Sequence, residues 1–200
     1  PYIAFTFLIV GTLVRFFYFE RNWTTKSSEF LEKKQLRIAN PLFHFGLLCV
    51  IGGHVVGVLI PKTWTAAIGI NDHMYHQGAL YMGAVAGIIF IVGFLLLMKR
   101  RFTVPAMKVN TSGLDKWLYL FLTLAIFSGM AGTLLNASGF FDYRVSIGPW
   151  FRSLISFMPD PSLMEGVPFM FKLHMLAWMV VAIIFRSEEH TSELQSLREI

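Results

Sequence analysis

Charge is scarce in this chain, and the scarcity excludes a whole class of proteins. Of 200 residues, 14% are charged and 55% hydrophobic, with a mean hydropathy of +0.58. A water-soluble domain carries about a quarter charged residues, so a soluble globular fold is excluded. The net charge of +5 would point to nucleic acid in a soluble protein. Here the basic residues lie between apolar spans and read as topology signals, so no nucleic-acid partner is expected. Cysteine is nearly absent, with Cys49 alone. One thiol makes no internal disulfide, and an iron–sulfur cluster needs about four ligands, so any such cluster belongs to a partner. Internal repeats and paired helices broken by Gly or Pro, the marks of many transporters, are also missing. The chain opens at Pro1 inside an apolar run without a methionine, so a native start upstream is expected. That run is long enough to remain as a span rather than serve as a cleaved leader.

What is present is a series of apolar spans. The spacing predicts an all-α membrane protein, a five-transmembrane-helix bundle with spans at about 1–19, 40–60, 76–98, 114–135 and 168–185, each near the roughly 20 residues a bilayer requires. The first connecting loop carries Arg21, Lys26, Lys33, Lys34 and Arg37, and the third carries Lys99, Arg100, Arg101 and Lys108. The second has Lys62 alone, and the longer fourth has Arg144 and Arg152. The positive-inside rule then puts the first and third loops in the cytoplasm, the N-terminus outside and the C-terminus cytoplasmic. The expected location is the cell membrane, crossed several times.

The second span, NPLFHFGLLCVIGGHVVGVLI, holds His44 and His54 ten residues apart. At about 1.5 Å rise per residue they lie roughly 15 Å apart, half of a hydrocarbon core about 30 Å thick. Each histidine therefore falls in its own leaflet, and ionisable groups at that depth mark function. His54 lies six residues from the outer end of its span at Ile60, and His174 lies six residues inside the fifth span from Pro168. The two helices run in opposite directions, so the imidazoles share a depth, as an axial pair on one haem requires. An interhelical hydrogen bond is the plainer use of a lone buried histidine. Gly46, Gly53 and Gly57 beside these histidines leave space for a flat macrocycle or, equally, for close helix packing.

His44 has no comparable partner, because only His190 lies further along the fifth helix. The segment RSEEHTSELQS, residues 186–196, back-translates into a common short-read sequencing adapter. It also places three glutamates directly after an apolar helix. Residues 1–185 are therefore read as the membrane domain and 186–200 as an adapter-derived artefact, and His190 is rejected as a ligand. Resequencing the 3′ end of the gene is expected to replace this string with an apolar continuation containing a histidine. At the outer mouth of the third span, His73, Tyr75 and His76 suit either an interfacial belt or a quinol site. Quinol oxidation releases two protons, so hydrogen-bonding groups near an outer haem are what it needs. Tyr75, His76 and Gly53 are the candidates. Trp64, Trp150 and Phe151 fit belt packing or a pocket wall.

Taken together, PLFHFG, GGHVVGVLIPKTW, FDYR, WFRSL and VPFMFKLHML along residues 1–185 resemble the gamma subunit of respiratory nitrate reductase. SSEFLEKK and IGINDHMYHQGA make the resemblance strongest to versions from Gram-positive bacteria. The resemblance implies a subunit with two haem b groups that oxidises menaquinol or ubiquinol near the outer face. Electrons would pass inward to an iron–sulfur beta subunit and a molybdenum-containing alpha subunit that reduces nitrate. It also implies that His54 and His174 hold the outer haem iron and His44 the inner one. The family's fourth ligand lies about eighteen residues past the position of His174, on the same helix face; His190 is sixteen residues on and faces elsewhere. Some members place a lysine at the quinol mouth, where this chain has Tyr75, His76 or Gln77. The other functions weighed are a di-haem anchor of another quinone-linked oxidoreductase, such as formate dehydrogenase, and a haem-free membrane anchor.

Overall fold

A computed structural model describes residues 1–18, 34–109 and 111–198, and the side chains of these apart from 15, 16, 18, 106 and 185–198. The basic residues Arg21, Lys26 and Lys33 of the first loop, and the side chain of His190, lie outside the described residues. All regular structure among the described residues is helical. In order these are α1 (Tyr2–Tyr18), α2 (Leu36–His54), a π turn (Val55–Leu59), α3 (Lys62–Ala67), α4 (Asp72–Thr103), α5 (Pro105–Val109), α6 (Gly113–Leu135), α7 (Ile147–Ile155), a 3-10 turn (Pro161–Met164) and α8 (Phe169–Arg198).

Three stretches are long and apolar enough to cross a membrane: Leu36–Leu59, Asp72–Thr103 and Gly113–Leu135. Tyr2–Val14 and Phe169–Ile184 are shorter apolar helices. Only 11% of the apolar window in the first stretch, and 22% in each of the others, is buried within the chain. Most of this apolar surface faces outward, which is stable in lipid or against partner helices and not in water.

α4 and α6 begin earlier than the hydropathy pattern indicates, because caps rather than apolar residues set their starts. α4 starts at Asp72, four residues before His76, where the Asn71 side chain accepts a hydrogen bond from the Met74 amide at 2.9 Å. α6 starts on a reciprocal capping box: the Asp115 amide donates to Ser112 Oγ at 3.0 Å, and the Ser112 amide donates to Asp115 Oδ2 at 2.7 Å. Each cap satisfies amides that a helix N-terminus otherwise leaves open. α2 begins at Leu36 and carries Pro41 inside it. The proline removes only the bond to the Arg37 carbonyl, within the first two turns, and the helix continues. The helical backbone of α8 runs on to Arg198 instead of stopping at Phe185, as Glu, Leu, Gln and Arg in that stretch are good helix formers.

Packing is pairwise: α2 lies along α4, α6 along α8, α4 touches α6, and α1 covers α8. The α2–α4 crossing is set by two glycines facing each other's neighbours. A Cβ on Gly46 would lie 2.5 Å from the Phe90 amide nitrogen, and one on Gly93 would overlap the Phe43 backbone. Without those side chains the backbones approach directly, the usual means of joining helices in lipid. Beside the crossing, Phe90, Phe94 and Ile126 form a small core with Phe43, Leu47, Val50 and Leu122 against it.

The segments between the long helices at the His54 end are folded rather than loose. α3 and α7 lie there, and α7 packs on the π turn. Asn136 ends α6 and exchanges two bonds with the Phe141 backbone, at 2.9 and 3.0 Å. Lys62 binds both Asp72 at 2.9 Å and Asp142 at 3.0 Å. Hydrogen bonds to Asp72 and then to Asp142 push the Lys62 ammonium above its ordinary range, so at neutral pH it stays charged and ties three segments together.

Candidate functional site

The structure brings His54 and His174 together. Their ring centroids are 5.7 Å apart, with planes inclined by 27°. His54 is the last residue of α2 and His174 lies near the start of α8, so the ends of two helices supply the pair. Each Nδ1 is committed to a backbone carbonyl: His54 to Val50 at 2.7 Å, within its own helix, and His174 to Ala125 of α6 at 2.7 Å. A carbonyl only accepts, so both Nδ1 atoms carry the proton and both Nε2 atoms present a lone pair. A carbonyl in that position is what orients a metal-bound imidazole and fixes its tautomer. The Nε2 of His174 is buried and has no hydrogen-bond partner. A buried nitrogen acceptor left open costs on the order of 1–3 kcal/mol, unless a group absent from the apoprotein satisfies it.

Metal–imidazole bonds of about 2 Å, with about 1.15 Å from nitrogen to ring centroid added on each side, would put the centroids of two rings sharing one ion roughly 6.3 Å apart. The observed 5.7 Å is about 0.6 Å closer, so the rings must part by about that much to admit an ion between them. Groups of three or more His, Cys, Asp or Glu that could hold a metal ion do not occur among the described residues.

The glycines separate by role. Gly46 serves the packing of α2 on α4. Gly57 is also filled against: a Cβ there would lie 3.1 Å from the Tyr143 ring and 3.2 Å from the Tyr75 hydroxyl. Gly52 and Gly53 are different, because a Cβ at either would meet nothing within 4 Å, so the α2 surface beside His54 is open. Gly129 of α6, which sequence reasoning passed over, backs His174 directly. A Cβ there would lie 2.8 Å from Cε1 and 2.9 Å from Nδ1. Its signal in the sequence was only one more glycine in a glycine-containing apolar helix.

One turn beyond His54 lies the end of the bundle where α7 packs on the π turn. The π turn (Val55–Leu59) closes with the Ile60 amide on the Val55 carbonyl at 3.3 Å, and π turns often occur at functional sites. Arg152 of α7 donates to the Val58 carbonyl at 2.7 Å. Gly148 permits the approach, since a Cβ there would lie 3.4 Å from that same oxygen. Tyr75 sits with its hydroxyl at Gly57 and its ring beneath Arg144, whose guanidinium carbon lies 3.7 Å from the ring centroid. Tyr143 is pushed well up, first by burial and then by its hydrogen bond to Tyr75, so it remains a protonated hydroxyl. His76 donates from Nε2 to the Ala137 carbonyl at 3.1 Å, packed against Gly139, which has φ +73°. Trp64 is exposed, and Phe151 packs edge-on against Phe5 of α1 at 5.9 Å, so neither walls a closed pocket.

His44 is exposed on α2, with Nδ1 on the Asn40 carbonyl at 2.9 Å and its ring edge-on to Phe43. It has the same tautomer as His54. Among the described residues its ring meets no second histidine.

An all-helical membrane protein with a paired, carbonyl-oriented imidazole site between two helices is the class these features define. The nitrate reductase gamma subunit family model matches residues 1–186, and the chain belongs to that family, a membrane subunit of respiratory nitrate reductase. The nitrate reductase gamma chain of Bacillus subtilis is 46% identical over 186 residues, covering 92% of this chain and 83% of that protein. The respiratory nitrate reductase 1 gamma chain of Escherichia coli is 28% identical with the same coverages. The nitrate reductase-like protein NarX of Mycobacterium tuberculosis is 39% identical over 88% of this chain, which spans 28% of that longer protein.

Proposed function

We propose that this chain is the haem b-bearing subunit that oxidises quinol near the outer membrane face and passes electrons towards a cytoplasmic iron–sulfur beta subunit and a molybdenum-containing alpha subunit. In this reading α1, α2, α4, α6 and α8 are five spans in the cell membrane, with the N-terminus outside and the C-terminus cytoplasmic. The observation that carries it is the open, buried Nε2 of His174, on a ring whose centroid lies 5.7 Å from that of His54. Haem b bound there would supply a one-electron redox centre. His54 and His174 would hold its iron through Nε2, with Val50 and Ala125 keeping each ring oriented. The haem-free anchor explains the His174–Ala125 bond, which joins α8 to α6, but it uses one ring nitrogen and leaves the other orphaned.

The outer mouth supplies what quinol oxidation requires of a protein. A quinol gives up two electrons and two protons on becoming a quinone, so acceptors and donors must line its ring oxygens. Gly53 adjoins His54 on α2, the Tyr75 hydroxyl meets Gly57 on the turn that follows, and His76, the next residue on α4, reaches the Ala137 carbonyl. Nδ1 of His76 is left as an acceptor once Nε2 donates to Ala137. At the inner end only His44 is available among the described residues, so the inner haem has half of its ligand pair and no step is derived through it.

The test is a reduced-minus-oxidised optical spectrum of membranes containing the chain with its partner subunits. A haem b band that disappears in both His54→Ala and His174→Ala is expected. Absence of any such band in the unaltered protein refutes the haem reading, and loss of two different bands in the two variants refutes the pairing.

A further inference from the structure

We propose that Arg144 is a positioning residue of the quinol site, holding the Tyr75 hydroxyl at the π turn beside His54. The proposal rests on the outer-mouth reading above and adds the group that organises it. Counted in the sequence, Arg144 is only one of two basic residues in the fourth loop, in the string FDYR. In the fold it is 4% exposed. Burying a guanidinium is costly unless charge and hydrogen bonds compensate. No carboxylate lies within ion-pair distance of Arg144 among the described residues, and its Nε has no partner. The guanidinium instead donates to Thr65 Oγ1 at 2.6 Å and lies over the Tyr75 ring at 3.7 Å.

Those two contacts have a direction. Thr65 belongs to α3 and donates in turn to the Lys62 carbonyl at 2.9 Å, and the Arg144 amide is held by Asp142 Oδ1 at 2.9 Å. Both ends of Arg144 are thus anchored outside the long helices, and the cation presses on Tyr75 at the start of α4. The other polar contact of Tyr75 is weak: Tyr143 Oη lies 3.5 Å from Tyr75 Oη, against about 2.7–2.8 Å for an ordinary hydroxyl bond. The cation–π contact, strongest where water is excluded, therefore fixes the ring. The hydroxyl at its far end meets Gly57, three residues and one turn from His54, where it can hydrogen-bond a quinol oxygen. A neutral side chain at 144 would be cheaper to bury, which argues that the charge serves the tyrosine rather than the fold.

The experiment is a double-mutant cycle in membranes carrying the complete nitrate reductase, with a water-soluble menaquinol analogue as donor and nitrate as acceptor. Tyr75→Phe removes the hydroxyl and keeps the ring under Arg144; it is expected to lower turnover by roughly 10–100-fold with the haem b band intact. Arg144→Met is expected to lower it by a similar factor, and Arg144→Lys to recover part of the rate, since an ammonium also sits on an aromatic face. The deciding measurement is Arg144→Met with Tyr75→Phe, expected to be no slower than Tyr75→Phe alone, because a residue acting through Tyr75 then has nothing left to position. A full further loss in the double variant overturns the proposal, and so does wild-type turnover in Arg144→Met or in Tyr75→Phe. If Arg144→Met fails to retain the haem band, the cycle is run with Arg144→Lys under the same criterion. A missing haem b band in the unaltered complex would instead refute the function proposed above.

Discussion

At His54 and His174 the decisive atoms are the two Nδ1 protons. Because the Val50 and Ala125 carbonyls accept them, with 2.7 Å between Nδ1 and oxygen in each case, the Nε2 lone pairs are directed away from these backbone contacts. The glycines around this pair make separable predictions. Gly53→Ala meets no protein atom within 4 Å and replaces a helix-interior glycine, which is about 0.5–1 kcal/mol less favourable than alanine, so the melting temperature of the apoprotein should hold or rise slightly. A macrocycle lying on that surface would be pushed away, and the haem b band should weaken or shift. Gly46→Ala places a methyl 2.5 Å from the Phe90 nitrogen and should lower stability by about 1–3 kcal/mol, as overpacking does. Thermal melting of the two variants, read beside their spectra, checks both; a destabilised Gly53→Ala with a normal haem band would reverse the assignment. Gly129→Ala should disturb the same band as His174→Ala, since its methyl would lie 2.8 Å from the imidazole.

Among the elements, the π turn depends on a contact from far along the chain. The Val58 carbonyl is met by Arg152 at 2.7 Å across ninety-four residues. Losing a charged donor to a carbonyl costs about 1.5–3 kcal/mol, so Arg152→Met should loosen the turn that follows His54. Hydrogen exchange at residues 55–60 should rise in that variant while α6 is unaffected; unchanged protection would show that the turn is self-supporting. The helix caps act on the same scale. Ser112 with Asp115, and Asn71 before Asp72, were readable as N-terminal signals, yet the hydropathy pattern alone places the start of α4 at His76. Polar residues at a membrane interface belong to the helix when a side chain satisfies the first amides.

For the whole molecule, the orientation proposal can be checked by accessibility. In a background with Cys49→Ala, Lys62→Cys should react with a membrane-impermeant thiol reagent added to intact cells, and Lys108→Cys should react only after lysis. The opposite pattern would invert the bundle. The small buried share of the apolar helices leads to a second expectation, that the chain requires detergent or lipid and its partner subunits to remain folded; retention of helicity in plain buffer would contradict it.

By itself, the sequence determined the membrane class, the helical character and the two histidines of matching depth, because hydropathy and the 1.5 Å helical rise are local and additive. It also carried the family resemblance in strings such as GGHVVGVLIPKTW and FDYR. Only the tertiary structure decided what each residue faces. It separated Gly46, used in packing, from Gly53, left open; it placed Gly129 behind His174; and it turned Arg144 from a loop charge into a buried contact with Tyr75 and Arg152 into a half-buried contact with Val58. Those outcomes depend on which helix lies opposite and at what distance, and a one-dimensional pattern cannot encode a contact between residues separated by sixty-nine or ninety-four positions until the helices that carry them have packed.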